Sequence, residues 1–196
     1  MRVTPYSSDN AAFSNRAHLR AQELLYPKIF GLPLDRLSFE STLLASGERG
    51  NTLDGEMAID RIVKVSGLPE FLRQPIVFTV QERFRRPEYA KWKDVTFTEW
   101  NTVTNLPSEL YKITANIFLY GYYDEQASRF VDAIALDVQP TLRLLCNGKL
   151  IFRFGDNPRS HQTFVAFEFH HLHKAGCIIY WQQLPELFPA QSSLFR

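Results

Sequence analysis

The sequence predicts a mixed α/β domain of the α+β kind, and three observations point there. Short runs with strand-type alternation outnumber helical ones. Only two stretches carry helical spacing, one near the N-terminus and one at mid-chain. Strands and helices do not alternate regularly, which sets aside a repeating parallel βαβ array. The predicted order is helix, three strands, helix, strand, then further strands.

Residues 14–30 read as the first helix, with Ala17, Leu24, Leu25 and Phe30 among its apolar positions and Ser8, Asp9 or Asn10 as candidate caps. GLPLD ends it at Gly31. Residues 37–45 form a strand, and the glycines of SGERGNTLDG make 46–55 a loop or wide hairpin. Residues 56–65 are the second strand, broken by SGLPEF. The third, IVFTVQERFRR at 76–86, puts Ile76, Phe78, Val80 and Phe84 on one face. Val77, Thr79, Gln81, Arg83 and Arg85 fall on the other, while Glu82 sits among the apolar set. A charged connection, RPEYAKWKD, leads to a short strand at 95–99. LPSELYKITANIFLYGYYDE gives the clearest helix: Pro107 stands near its start, Glu109 suits the dipole in its first turn, and Gly121 marks its end. Residues 130–138 are again a strand. From Leu142 onward LRLLC, KLIFRF, TFVAFEF and CIIYW read as strands, with CNGK and GDNPRS as turns.

With 196 residues, 45% of them hydrophobic, the chain can bury one sizeable core and fits a single domain over 1–196. A formal net charge of +1 makes it neither a basic tail nor an acidic solvating segment, so any anion site is local. Cys146 and Cys177 are too few for a disulfide framework, although one bridge between them stays open. The first twenty residues lack the apolar core of a secretory signal, and no stretch approaches about 18 uncharged apolar residues. The expectation is a soluble, cytoplasmic protein with no membrane partner.

The second and third strands carry the chemistry. Alternation sets Glu56, Ala58, Asp60, Ile62 and Lys64 on one face of the second strand, which makes Asp60 an acid in mid-strand. If the two strands pair, Asp60, the Gln81 amide and the Arg83 guanidinium converge on one sheet face. A carboxylate and an amide oxygen suit a hard cation such as Mg²⁺, and the arginine suits a phosphate beside it. The competing reading has Asp60 capping a bulge or pairing with Arg61 or Arg83 at a sheet edge.

GEMAID, then IVFTVQERFR about twenty residues on, then SELYKITANIFLYGY together resemble the PD-(D/E)XK, or restriction-endonuclease-like, nuclease superfamily. The resemblance covers residues 14–138 and leaves 139–196 as a β-rich extension of the same domain. It implies a core of helix, three strands, helix and strand. The acid of the second strand is then Asp60, and Gln81-x-Arg83 stands where the superfamily has acid-x-lysine. It further implies a nuclease cutting DNA with Mg²⁺ or Mn²⁺, held by Asp60, Gln81 and the main-chain carbonyl of Glu82. The alternative register, with Glu82 as the acid, fails because Phe84 would replace the lysine. An arginine stays charged and cannot serve as a base. In some members the lysine has moved to the following helix, which makes Lys112 a candidate, on a polar stripe with Glu109 and Asn116. A first-helix carboxylate often completes the metal site; Glu23 is that candidate, with Glu40 and Glu56 competing. Dimers are common in the superfamily, so a homodimer is an expected partner state.

Arg83, Arg85, Arg86, Lys91 and Lys93 crowd one strand end, with Tyr89 and Trp92 between them. This is a local basis for DNA contact through phosphates and stacking, diluted by Glu88 and Asp94. His170, His171 and His173 near Cys177 lack a second ligand pair at zinc spacing, so they read as a structural or surface cluster, with His171 and His173 sharing a strand face. Two further readings stay open. One is a catalytically degenerate nuclease fold that binds nucleic acid or protein. The other is an unrelated α+β interaction protein using its strands over 142–181.

Overall fold

The computed structural model describes residues 8–42, 53, 56–67, 74–158 and 160–183. The predicted loop over 46–55 falls outside them except for residue 53, as do the end of the first predicted strand and most of SGLPEF.

The fold is mixed α/β, built on two sheets. Strands β1 (Leu37–Ser41), β2 (Arg61–Val65), β3 (Ile76–Arg85), β6 (Ile117–Asp124), β7 (Arg129–Asp137) and β10 (Ile178–Trp181) form the larger one, in the order β1-β2-β3-β6-β7-β10. Only β3 and β6 run parallel; the other neighbours are antiparallel. Strands β4 (Asp94–Asn101), β5 (Leu106–Pro107), β8 (Arg153–Asn157) and β9 (Gln162–Glu168) form the second sheet, in the order β5-β4-β9-β8. The helices are α1 (Ser8–Leu24), α2 (Tyr26–Phe30), α3 (Glu109–Lys112), α4 (Val138–Cys146) and α5 (Phe169–Lys174). No described helix is long and apolar enough to cross a membrane. Both cysteines are free thiols.

The larger sheet is covered on both faces. On one, Ala17, Ala21, Leu25 and Tyr26 pack against Val63, Val80, Ile117 and Leu119. The two alanines let α1 lie close to the strands. The chain turns at Leu25, restarts with Pro27 in the first turn of α2, and stops at Gly31 (φ 64°), whose N–H reaches the Pro27 carbonyl. On the other face, Phe118, Tyr120, Ile134 and Leu136 meet Val95, Phe97, Val165 and Phe167 of the second sheet.

The predicted mid-chain helix is the main correction. Only Glu109–Lys112 is helical, and Ile117–Asp124 is the central strand β6. A strand buried on both faces shows no polar alternation and reads as a continuous apolar run. The chance helical spacing of Leu110, Ile113, Ile117 and Tyr120 then imitates an amphipathic helix. The polar stripe of Glu109, Lys112 and Asn116 therefore does not exist, and β3 reaches its parallel partner through β4, β5 and α3. LRLLC lies in α4, and the histidines lie in α5 rather than on a strand. The predicted second strand starts at Arg61, so Asp60 stands just before it. The first helix begins at Ser8, before the predicted start.

Gly121 is no helix stop. It sits in β6, where an added Cβ would lie 3.0 Å from Phe130 Cδ1 and 3.3 Å from the Ala133 Cβ. Gly121→Val is expected to cost about 1–3 kcal/mol through overpacking. Urea unfolding of the variant checks this, with a wild-type midpoint as the contrary result.

Candidate functional site

A cleft of about 770 Å³ opens between α1, the end of β3 and the second sheet. Asp60, Gln81 and Arg83 all line it, as does His18 from α1, and Asn157 and Phe164 form the wall beyond them. A smaller hollow of about 450 Å³ between the end of α1 and β7 holds Lys28 and Arg129 but no carboxylate.

Strand geometry assembles the three residues. β2 pairs antiparallel with β3 from Val65–Ile76 to Arg61–Val80, after which β3 runs on alone along that edge. Asp60, the residue before β2, donates its N–H to the Val80 carbonyl at 2.9 Å. Its carboxylate Oδ2 accepts the Glu82 N–H at 2.8 Å, which fixes its orientation. Within a strand, one residue's N–H and C=O point to the same side, so the Glu82 carbonyl also faces the side where β2 has ended.

Glu109 of α3 is the acid beneath this face. Its Oε1 accepts from Gln81 Nε2 at 3.1 Å, and its Oε2 pairs with Arg83 Nη2 at 2.8 Å. A carboxylate accepts only, so this contact sets which end of the Gln81 amide is nitrogen. The Gln81 oxygen is buried and has no hydrogen-bond partner among the described residues. Arg83 also donates to the Thr96 carbonyl at 3.1 Å.

Glu82 points to the opposite face, into the layer against α1. Its side chain is fully buried. It accepts hydrogen bonds from Tyr26 Oη at 2.9 Å, Arg61 Nε at 2.9 Å and His18 Nδ1 at 2.7 Å. Burial pushes the Glu82 carboxyl up, but the hydrogen bonds and charges of His18 and Arg61 outweigh it and hold the group below its ordinary value. Burial, and then the Glu82 charge, push the Tyr26 hydroxyl well up. The charge among apolar residues is thus a satisfied buried network. Through it Glu82 also orients His18, whose ring packs edge-on to Phe84 at 5.2 Å.

The other predicted residues scatter. Glu23 is not at the cleft: it lies at the far end of α1, half exposed and paired with Arg20. Glu40 pairs with Lys64, and Glu56 is exposed. Lys112 closes α3, half-buried and outside the cleft lining. The basic cluster is divided. Arg85 lines the cleft with its guanidinium 4.2 Å from the Tyr89 ring centroid. Arg86 is held by Asp9 at 2.7 Å and lies over Phe13. Lys93 is exposed and pairs with the buried Asp132 at 2.8 Å. Lys91 and Trp92 remain exposed, the ammonium 5.4 Å from the indole centroid.

Sequence reasoning missed His18, placed Arg61 beside Asp60 rather than Glu82, and set Glu109 on a helix stripe with Lys112 rather than beneath Gln81 and Arg83. The one available signal was Glu82 itself, since an acid on an apolar strand face demands cationic or donor partners. Comparison of the chain with family models, curated proteins and solved structures returns no match.

Proposed function

We propose that the cleft hydrolyses phosphodiester bonds in DNA with Mg²⁺ or Mn²⁺. The observation that carries this reading is the buried Gln81 amide oxygen, without a hydrogen-bond partner among the described residues, on the face that also holds the Asp60 carboxylate. With the Glu82 carbonyl, these give an all-oxygen donor set of the kind hard divalent cations take. A cation held there supplies Lewis-acid polarisation of a phosphoryl oxygen and makes a water more acidic.

Arg83 is held by Glu109 and the Thr96 carbonyl, so its charge is in place for a phosphate without reorganisation. A guanidinium does not serve as a base, and no lysine is among the residues lining the cleft. His18 fills the proton-accepting role. Glu82 holds Nδ1, as the orienting carboxylate of a catalytic histidine does, and His18 is among the residues lining the cleft. As the water oxygen bonds to phosphorus, its proton passes to His18 and the bond to the leaving sugar oxygen breaks.

The restriction-endonuclease-like reading draws support from three antiparallel strands followed by a parallel one, with Asp60 before the second and Gln81-x-Arg83 on the third. The β4–β5–α3 connection departs from the expected helix. Incubating the protein with linear, nicked and branched DNA, with and without Mn²⁺, tests the function. Cleavage that requires the cation is expected; all three substrates left intact would overturn it. The Arg83–Glu109 pair favours a second reading, a degenerate site that only binds nucleic acid. In that case DNA is retained in a gel-shift assay while Mn²⁺ titration shows no saturable binding.

A further inference from the structure

We propose that Glu168, His170 and His171 form a second cation site, for a borderline transition ion such as Zn²⁺ rather than a hard one. The chain leaves β9 at Glu168 and turns directly into α5. Phe169 and Leu172 are buried in the core, and the Phe169 N–H donates to the Lys93 carbonyl at 2.8 Å. These anchors fix the backbone on which the three side chains stand.

One ligand atom from each residue lies within 4.8 Å of the others. His170 Nδ1 is 3.2 Å from Glu168 Oε2, and the two imidazole centroids are 3.8 Å apart. Tetrahedral zinc with bonds of roughly 2.0–2.2 Å needs ligand atoms about 3.4 Å apart. Small rotations of the half-buried Glu168 and the exposed His170 close the difference. The second observation is independent of this spacing. His171 Nδ1 is buried without a hydrogen-bond partner among the described residues, an arrangement that is costly for a polar atom.

Two imidazoles and one carboxylate match zinc and its neighbours, and differ from the all-oxygen set of the cleft. Neither His173 nor Cys177 takes part: His173 packs on Trp181 at 5.8 Å, and Cys177 is buried. Glu168, absent from the histidine pattern as a sequence motif, supplies the third donor and leaves a fourth position for water or another ligand.

Titrating the full chain with Zn²⁺ by calorimetry, and with Co²⁺ by visible absorption, tests the site. With the cleft occupied by excess Mg²⁺, one saturable equivalent is expected, with a Co²⁺ band of tetrahedral intensity, retained in Cys146→Ser. His170→Ala and His171→Ala should each abolish saturation, and Glu168→Gln should weaken it by about ten- to a hundredfold, as losses even in outer-sphere partners do. A thermal melt on each variant confirms that the fold is retained. Absence of saturable binding in the wild type, or wild-type affinity in either histidine variant, would overturn the proposal.

Discussion

Replacing Glu82 by alanine is expected to cost about 3–5 kcal/mol of unfolding free energy at neutral pH, the range for breaking a buried ion pair from one side. For a chain of this size that lowers the melting temperature by roughly 6–20 °C. The cost arises because Arg61, itself buried, keeps its charge after its partner is gone. Tyr26 and His18 lose their acceptor in the same step. The pH dependence has a definite sign. Glu82 is held below its ordinary value near 4.5, so the folded state favours its ionised form. Its contribution is complete above that ordinary range and is lost as pH falls through the lowered folded-state value. Wild type should therefore lose stability in acid faster than the variant does. Pairing Arg61→Met with Glu82→Leu should recover much of the loss, because a buried pair exchanged for apolar residues is often neutral or better. Urea unfolding of wild type, Glu82→Ala, Glu82→Leu, Arg61→Met and the double variant is the measurement. A single-variant loss below about 1 kcal/mol, the scale of an ordinary exposed pair, would show that the network is not what holds this layer.

What the sequence revealed and what it hid divide by range. Asp60, Gln81 and Arg83 share a face because period-two alternation and one antiparallel pairing suffice to bring them together, and both are local properties. The partners of Glu82 come from 64, 56 and 21 residues away, on α1, α2 and β2, and no spacing rule reaches that far. Glu109 was visible as an acid, but its place below Gln81 depends on α3 being one turn long. That brevity was hidden because β6, buried on both faces, carries no alternation to mark it as a strand. The second sheet was obscured for a related reason. Its β4–β9 pairing joins Asp94 to Glu168 across most of the C-terminal half of the chain.

Asp60→Asn should abolish saturable Mn²⁺ binding in the cleft and slow cleavage by at least about a hundredfold, while leaving the fold in place. Asparagine is the better probe than alanine. The Asp60 carboxylate accepts the buried Glu82 N–H, and losing that acceptor leaves a donor unsatisfied at a cost of about 1–3 kcal/mol. An asparagine side-chain oxygen can still accept the bond, so the substitution removes the charge while keeping this contact. Cation-dependent stabilisation of a phosphoryl transition state amounts to several kcal/mol, and each 1.36 kcal/mol is a factor of ten in rate. Loss of the anionic donor therefore reaches a hundredfold before any effect on water positioning is counted. Gln81→Leu separates binding from structure on the same face. It removes the unpartnered oxygen and the Glu109 contact together, so Mn²⁺ affinity should fall while Arg83 keeps its Glu109 partner. Activity of Asp60→Asn within threefold of wild type, with an unchanged Mn²⁺ titration, would remove Asp60 from the site. The face would then be an Arg83–Glu109 structural pair beside a buried aspartate that shapes the end of β2.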